Sequence, residues 1–331
     1  MKKTLISLAV LAASTGAFAQ SSVTLYGTAD AGVGKLGHGK VGMQGNTAVN
    51  TSNSYLGFRG TEDLGGGLKA GFQFEQGINL KDGSTDDKAN YSIPTIWQRQ
   101  ANLWLGGNWG TFRLGRAFSP SRNAFAAWDI TGDANNSVAA ASYGNLGGNG
   151  PRNSSQFSYK TPDFGGFAAE LGYVFKPDNG GRAKVDLGLT YINGPLSAGV
   201  SYNKEKNSKA NYALGAQYRF GMFALAAGYH HIENGGYNDD ITGQPIAGAV
   251  GRGSGVSLGG KANFGAASVT VGLTRDTKSE YVVNNIKYKG RKNTNGLVEG
   301  RYAFSKRTFV YANYLRVDRT NSYGVGMRHD F

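Results

Sequence analysis

The chain has 331 residues, a formal charge of +13, no cysteine, 52 glycines and only 7 prolines, alongside 18 tyrosines and 17 phenylalanines. Without cysteine, a disulfide scaffold, thiolate catalysis and thiolate metal sites are all excluded. The lysines and arginines are scattered, which argues against nucleic acid as a partner, and the glycine and aromatic content suits many strands joined by tight turns.

Residues 1–19 read as a removable export signal. Lys2 and Lys3 form the basic start, Leu5 to Ala13 the apolar run, and Ala17-Phe18-Ala19 the cleavage site. That run is shorter than the ~20 residues a membrane-spanning helix needs. The mature chain is expected to begin at Gln20, with its charge reduced from +13 to +11 by the loss of two lysines.

Period-two alternation then recurs almost to the end. Val23, Leu25, Ala29, Ala31 and Val33 oppose Thr24, Thr28 and Asp30. Phe167, Ala169, Leu171, Tyr173 and Phe175 oppose Glu170 and Gly172, and Leu196, Ala198, Val200 and Tyr202 oppose Ser197, Ser201 and Asn203. The pattern repeats in Tyr212–Phe220, in Val269–Thr274 and in Tyr323–Phe331, where Tyr323, Val325, Met327 and Phe331 oppose Gly324, Gly326, Arg328 and Asp330. Strands with one apolar and one small or polar face suit an outer-membrane β-barrel, oily outside and wet within.

Turn signals at Gly65-Gly66-Gly67, Asn108-Trp109-Gly110, Asn193-Gly194-Pro195, Phe220-Gly221 and Ser305-Lys306-Arg307 divide these runs into about sixteen strands. Longer polar stretches at 35–52, 82–94, 119–150, 235–252 and 279–293 alternate with the short turns, the asymmetry expected of external loops and periplasmic turns. Between Ile96 and Gly106 neither face is cleanly apolar, which hints at packing against another subunit. No linker interrupts 20–331, so the mature chain reads as one closed domain. His38, His230, His231 and His329 lack metal-ligand company, and adjacent His230 and His231 point to opposite faces of a strand. The glycine clusters Gly34 to Gly39 and Gly251 to Gly255 precede no helix and so lack the helix amino terminus that a phosphate cradle uses.

Several segments together resemble the Gram-negative general porins of the beta-proteobacterial and neisserial type. They are Ser22-Val-Thr-Leu-Tyr-Gly27, Gly57-Phe-Arg-Gly-Thr-Glu-Asp-Leu-Gly65, Gly110-Thr-Phe-Arg-Leu-Gly-Arg116, Pro162-Asp-Phe-Gly-Gly166, Ser305-Lys-Arg-Thr308 and the aromatic last strand. The resemblance implies a sixteen-stranded barrel that forms trimers, with the long third loop, 119–150, folded into the pore. It implies a constriction at which loop carboxylates, Asp129 and Asp133, face wall arginines. On the wall it points to Arg116, closing the fifth strand, to Arg152, opening the sixth, and to Arg99. Parity with Tyr55 and Gly57 turns Arg59 inward, and flanking Phe112 and Leu114 turn Arg113 inward as well.

Three departures stand out. Tyr55 follows Ser54 where the family usually has arginine, Ser158 replaces a lumenal arginine, and Asp163 falls in a periplasmic turn and not in the filter. The expected function is passive diffusion of small hydrophilic solutes and ions, with mild anion preference, no cofactor, no metal and no enzymatic activity. The expected partners are a homotrimer's other subunits, outer-membrane lipid and lipopolysaccharide. The alternative is a surface-binding, adhesin-type barrel with a plugged lumen. A barrel hydrolase would need serine and histidine aligned on the outward face at the membrane rim, and His329 is the one histidine this reading places outward near a membrane edge.

Overall fold

The computed structural model describes residues 22–85, 96–143, 151–235 and 248–331. The expected export signal and parts of the long loops, 86–95, 144–150 and 236–247, lie outside the described residues. The strands are β1 (Ser22–Lys35), β2 (Gly42–Gly45), β3 (Tyr55–Gly65), β4 (Leu68–Gly77), β5 (Gln100–Gly107), β6 (Gly110–Phe118), β7 (Arg152–Lys160), β8 (Phe167–Val174) and β9 (Lys184–Asn193). They continue with β10 (Leu196–Glu205), β11 (Asn211–Phe220), β12 (Phe223–Gly235), β13 (Val250–Phe264), β14 (Ala267–Val283), β15 (Ile286–Lys289), β16 (Thr294–Ala303), β17 (Thr308–Val317) and β18 (Thr320–Asp330). Between β6 and β7 lie two helices, α1 (Pro120–Trp128) and α2 (Val138–Tyr143).

Every pairing is antiparallel, and the sheet closes on itself. The first half of β1, Ser22–Thr28, pairs with β3, and the second half, Thr28–Lys35, pairs with β18. The short strands β2 and β15 only extend hairpins at the loop end, β2 along β1 and β15 along β14. The wall therefore has sixteen strands. Closure leaves no unpaired edge, which a lipid environment demands because nothing there can satisfy free amides and carbonyls.

The burial pattern is the inverse of a water-soluble protein's. Val23, Leu103, Leu258 and Val325 are each about 60% exposed or more on the outward rows. Thr28, Asp30, Ser201, Asn211 and Thr274 on the inward rows are buried. Such alternation places apolar side chains against acyl chains and polar ones against water or against chain folded inside.

Two stretches differ from expectation. The polar run 279–293 is largely β-ribbon, since β14 continues to Val283 and turns into β15 through Asn284 and Asn285, both at positive φ. The mixed pattern near β5 has a local cause: Ala101, Leu103 and Leu105 occupy one row while Gln100, Asn102 and Trp104 occupy the other. Trp104 lies over Gly71, so its bulk fits where a side chain on β4 is missing.

Beyond β18, Phe331 exchanges both backbone hydrogen bonds with Gly27, at 3.0 and 3.1 Å, and its ring lies where a Cβ on Gly27 would be. Phe331→Ser removes this apolar clasp at the seam between first and last strands. The yield of heat-modifiable folded protein in the membrane fraction should drop to a small part of the wild-type level; an unchanged yield would refute the prediction.

Candidate functional site

The loop between β6 and β7 enters the barrel. Ser119 caps α1 by accepting a hydrogen bond from the Arg122 amide at 3.3 Å, and Pro120 supplies a first turn with its φ preset. Pro120, Ser121, Ala124, Phe125 and Trp128 form the buried stripe of the helix. Its anchors are inward residues of the wall. The Asp186 carboxylate on β9 accepts from the Ser121 amide at 2.7 Å, and the Ser201 hydroxyl on β10 donates to the Ser121 carbonyl at 2.6 Å. Lys184 and Asn153 reach the same carboxylate, so that buried charge has partners.

Trp128 is the deepest anchor. Its indole lies flush against Gly215 on β11 and Gly228 on β12, where a Cβ at either position would overlap the ring. Phe125 and Tyr143 close around it at ring-centroid distances of 4.9 and 5.9 Å. The loop then crosses towards the opposite wall: Asn136 donates to Glu299 on β16, Ser142 meets Thr274 at 2.7 Å, and the Tyr143 hydroxyl meets Ser257 at 3.0 Å.

Residues 46–52, the end of a stretch expected outside, also fold inward together with Asn53 and Ser54. Asp30, on the inward row of β1, receives the Thr51 hydroxyl at 2.6 Å, the Thr51 and Ser52 amides at 3.0 and 2.9 Å, Asn50 Nδ2 at 3.2 Å and the Tyr311 hydroxyl at 2.6 Å. Val49 joins Val138, Leu297 and Leu315 in one apolar cluster. Asn135 Nδ2 donates to Asn53 at 2.6 Å, so the first and third loops brace each other inside the barrel.

The expected constriction residues divide into three groups. Arg59 and Arg113 hold inward positions, and neither has an ion-pair partner among the described residues. Arg59 lies over the Tyr26 ring at 4.9 Å. Arg99 precedes β5, where Trp97 at φ 63° turns the chain; its guanidinium stacks on Tyr55 at 4.3 Å and pairs with Glu75 at 3.4 Å. Glu75 also accepts from Tyr26 and Gln100, both at 2.8 Å, so Tyr55 belongs to a wall cluster of aromatic, amide and charged groups.

A second group stands at the root of the third loop. Arg122 and Arg152 sandwich Phe118, at 3.9 and 4.3 Å, and Arg122 pairs with Asp133 at 2.6 Å. Arg152 stands within electrostatic reach of Asp133, while the ion pair itself is made by Arg122, which the sequence reading did not include. Its spacing three residues after the cap, off the buried stripe of α1, is the signal that could have singled it out.

The remaining two, Arg116 and Asp129, serve the scaffold. Arg116 lies three residues after Arg113 and so off its row, facing a bulge whose extra residue is on β7, and its guanidinium binds the Gln98 carbonyl and the Ser154 hydroxyl. Asp129 is the C-cap of α1. Its carboxylate takes the Thr131 hydroxyl, the Thr131 and Asp133 amides at 3.2 and 2.8 Å, and the Ser137 hydroxyl at 3.1 Å. The carboxylate is thereby spent on the loop's own turn.

On the other side of the barrel, Lys261 lies within electrostatic reach of Arg219, Arg301 and Glu299, and Arg301 and Arg328 both approach the Phe309 ring. Arg219 and Arg328 belong to the polar rows already legible in the sequence. Their convergence was hidden because it depends on which strands neighbour one another.

Burial raises the Asp133 carboxyl to about 6; Arg122 opposes the rise, neighbouring Asp129 adds to it and Arg152 lowers it. Acidification through that range removes a negative charge beside the loop. The anion-to-cation permeability ratio should therefore increase between pH 7.5 and 5, with a midpoint near 6. In Asp133→Asn the ratio should be flat over the same range; persistence of the midpoint there would assign it to another group.

The profile described as Gram-negative porin matches residues 7–322. The outer membrane porin protein 32 of Delftia acidovorans is 33% identical over 356 residues, covering 99% of this chain and 93% of that one. An outer membrane porin protein of Bordetella pertussis is 31% identical over 398 residues, with full coverage of both chains. Among solved structures, the anion-selective porin from Comamonas acidovorans superposes with a TM-score of 0.70 at 27% identity, covering 94% of this chain and 100% of that one. With a closed sixteen-stranded wall, polar inside and apolar outside, the chain belongs to the Gram-negative porins, channel proteins of the outer membrane.

Proposed function

We propose that the protein is a passive pore for small hydrophilic solutes and ions, mildly selective for anions, whose waist lies between the third loop and the wall of β3 to β7. The observation that carries this reading is an imbalance of charge. Arg59 and Arg113 face inward without carboxylate partners among the described residues, while Glu75, Asp129 and Asp186 are each engaged by donors. Arginines unopposed in a narrow aqueous passage raise the local concentration of anions. The waist comprises Arg59, Arg113, Arg99 with Tyr55, and the Arg122–Asp133–Arg152 group; Arg116 and Asp129 hold the frame. A structural neighbour described as an anion-selective porin agrees in sign.

The test is reversal potential under a potassium chloride gradient in planar bilayers. Wild type should favour chloride, and Arg59→Ala with Arg113→Ala should lower the permeability ratio by about two- to fivefold. Clear cation preference in wild type would overturn the reading. Folded protein without conductance would instead favour the surface-binding barrel with a plugged lumen.

The same reading includes a cleaved signal over 1–19, a barrel domain over 20–331, a homotrimer, and contact with outer-membrane lipid and lipopolysaccharide. We assign the chain no reaction. A serine–histidine–carboxylate array does exist on the outward face, with His231 at 2.8 Å from Ser254 and 3.1 Å from Glu233. Glu233 is also paired with Arg252 and Lys209, and Ser254 is only 7% exposed, so the array reads as a rim ion-pair network.

A further inference from the structure

We infer that the outward face of β14, β16 and β17 carries a binding site for a phosphorylated acyl lipid of the outer leaflet; this rests on the outer-membrane reading above and assigns that partner a place. A cleft of about 650 Å³ opens there between barrel strands. Its floor is Gly296 and Val298 on β16, and its walls are Leu273 on β14 and Tyr314 on β17. Leu273, Val298 and Tyr314 are each about half exposed, which marks the row that meets lipid. The cleft exists because β16 places glycine on that row. A Cβ at Gly296 would touch only Leu273 and the Gly272 carbonyl, at ordinary contact distance, and one at Gly300, further down the same row, would meet nothing within 4 Å.

The upper rim differs sharply from the floor. Arg275, Arg316 and Arg319 border it, and Arg291 and Lys292 bring the cations to five. Among the described residues, no carboxylate lines the cleft. The two acids nearby, Asp276 and Asp318, accept from the amide and side chain of Asn293, at 2.9 and 3.0 Å. The rim lies at the end of the barrel where β17 turns into β18, opposite the end where Phe331 meets Gly27. That is the end of the long loops, which in such barrels faces the exterior.

An occupant must therefore combine several negative oxygens at headgroup height with a hydrocarbon chain directly below. Guanidinium groups bind phosphate oxygens in paired, planar fashion, and basic clusters beside a membrane select phosphorylated headgroups. A free phosphate would use the rim and leave the apolar groove unexplained. A neutral lipid would use the groove and make no use of the basic rim of Arg275, Arg316 and Arg319.

The experiment uses the full-length folded protein in neutral detergent, with bound lipid counted by native mass spectrometry. The probes are bisphosphorylated lipid A, phosphatidylcholine and inorganic phosphate as competitor. Wild type should retain lipid A in preference to phosphatidylcholine, and millimolar phosphate should displace it only in part. Arg275→Ala with Arg316→Ala and Arg319→Ala should weaken retention at least about tenfold. Gly296→Leu, which fills the groove and leaves every cation in place, should weaken it as well. Equal retention by wild type and both variants would overturn the proposal, and so would full displacement by phosphate, which would leave only an anion site. Single-channel conductance is read on the same proteins. Because these residues lie outside the lumen, conductance should persist in every variant, so failure of the lipid site is distinguishable from failure of the pore.

Discussion

Trp128→Ala is expected to release the third loop from the wall and to raise both open-channel conductance and current noise. The indole is buried between Phe125, Tyr143 and the bare backbones of Gly215 and Gly228. On the wall side nothing can fill the space, because Gly215 and Gly228 have no side chains to reorient. Truncating a large buried aromatic costs about 3–5 kcal/mol, and that loss falls on the docking of the loop, since the hydrogen-bonded strands of the wall do not depend on it. The docked fraction should fall by roughly a hundredfold or more relative to the undocked one. Heat-modifiable mobility should stay close to wild type. Conductance and noise indistinguishable from wild type would show that the loop is held elsewhere, with the Ser121–Asp186 contact the leading candidate.

Asp30→Ala should have a comparable effect on the first loop. One buried carboxylate there gathers donors from Asn50, Thr51, Ser52 and Tyr311. Removing it strands several buried donors at about 1–3 kcal/mol each. The loop can relieve that cost by leaving the interior and meeting water, so the expected result is an undocked 46–54 segment and not an unfolded barrel. Limited proteolysis provides the readout: cleavage within 46–54 should appear in the variant and be absent from wild type. Asp30→Asn should show a weaker form of the same behaviour, since an amide keeps part of the acceptor capacity. Resistance of the alanine variant to cleavage would refute the prediction.

Much of the wall was legible because alternation is a local property. Val23 against Thr28, or Leu114 against Arg113, needs no knowledge of distant residues, and the inward positions of Arg59 and Arg113 follow from parity alone. Two of the wall arginines taken from the resemblance, Arg116 and Arg99, lie where alternation along a regular strand does not place them. Arg116 stands on the opposite parity to Arg113, facing a bulge whose extra residue is on β7, and Arg99 lies ahead of its strand behind a left-handed Trp97. Asp129 was misplaced for another reason: a carboxylate closing a helix meets its own turn sooner than anything across a channel. The inward path of 46–54 was not legible, because its cause is a carboxylate some twenty residues earlier and a tyrosine some 260 later.

The bracing of Asn135 against Asn53, with Val49 and Val138 in one cluster, ties the gauge of the channel to its outer face. A macromolecule gripping the neighbouring stretch 36–41 would pull on the same brace and narrow the passage without entering the mouth.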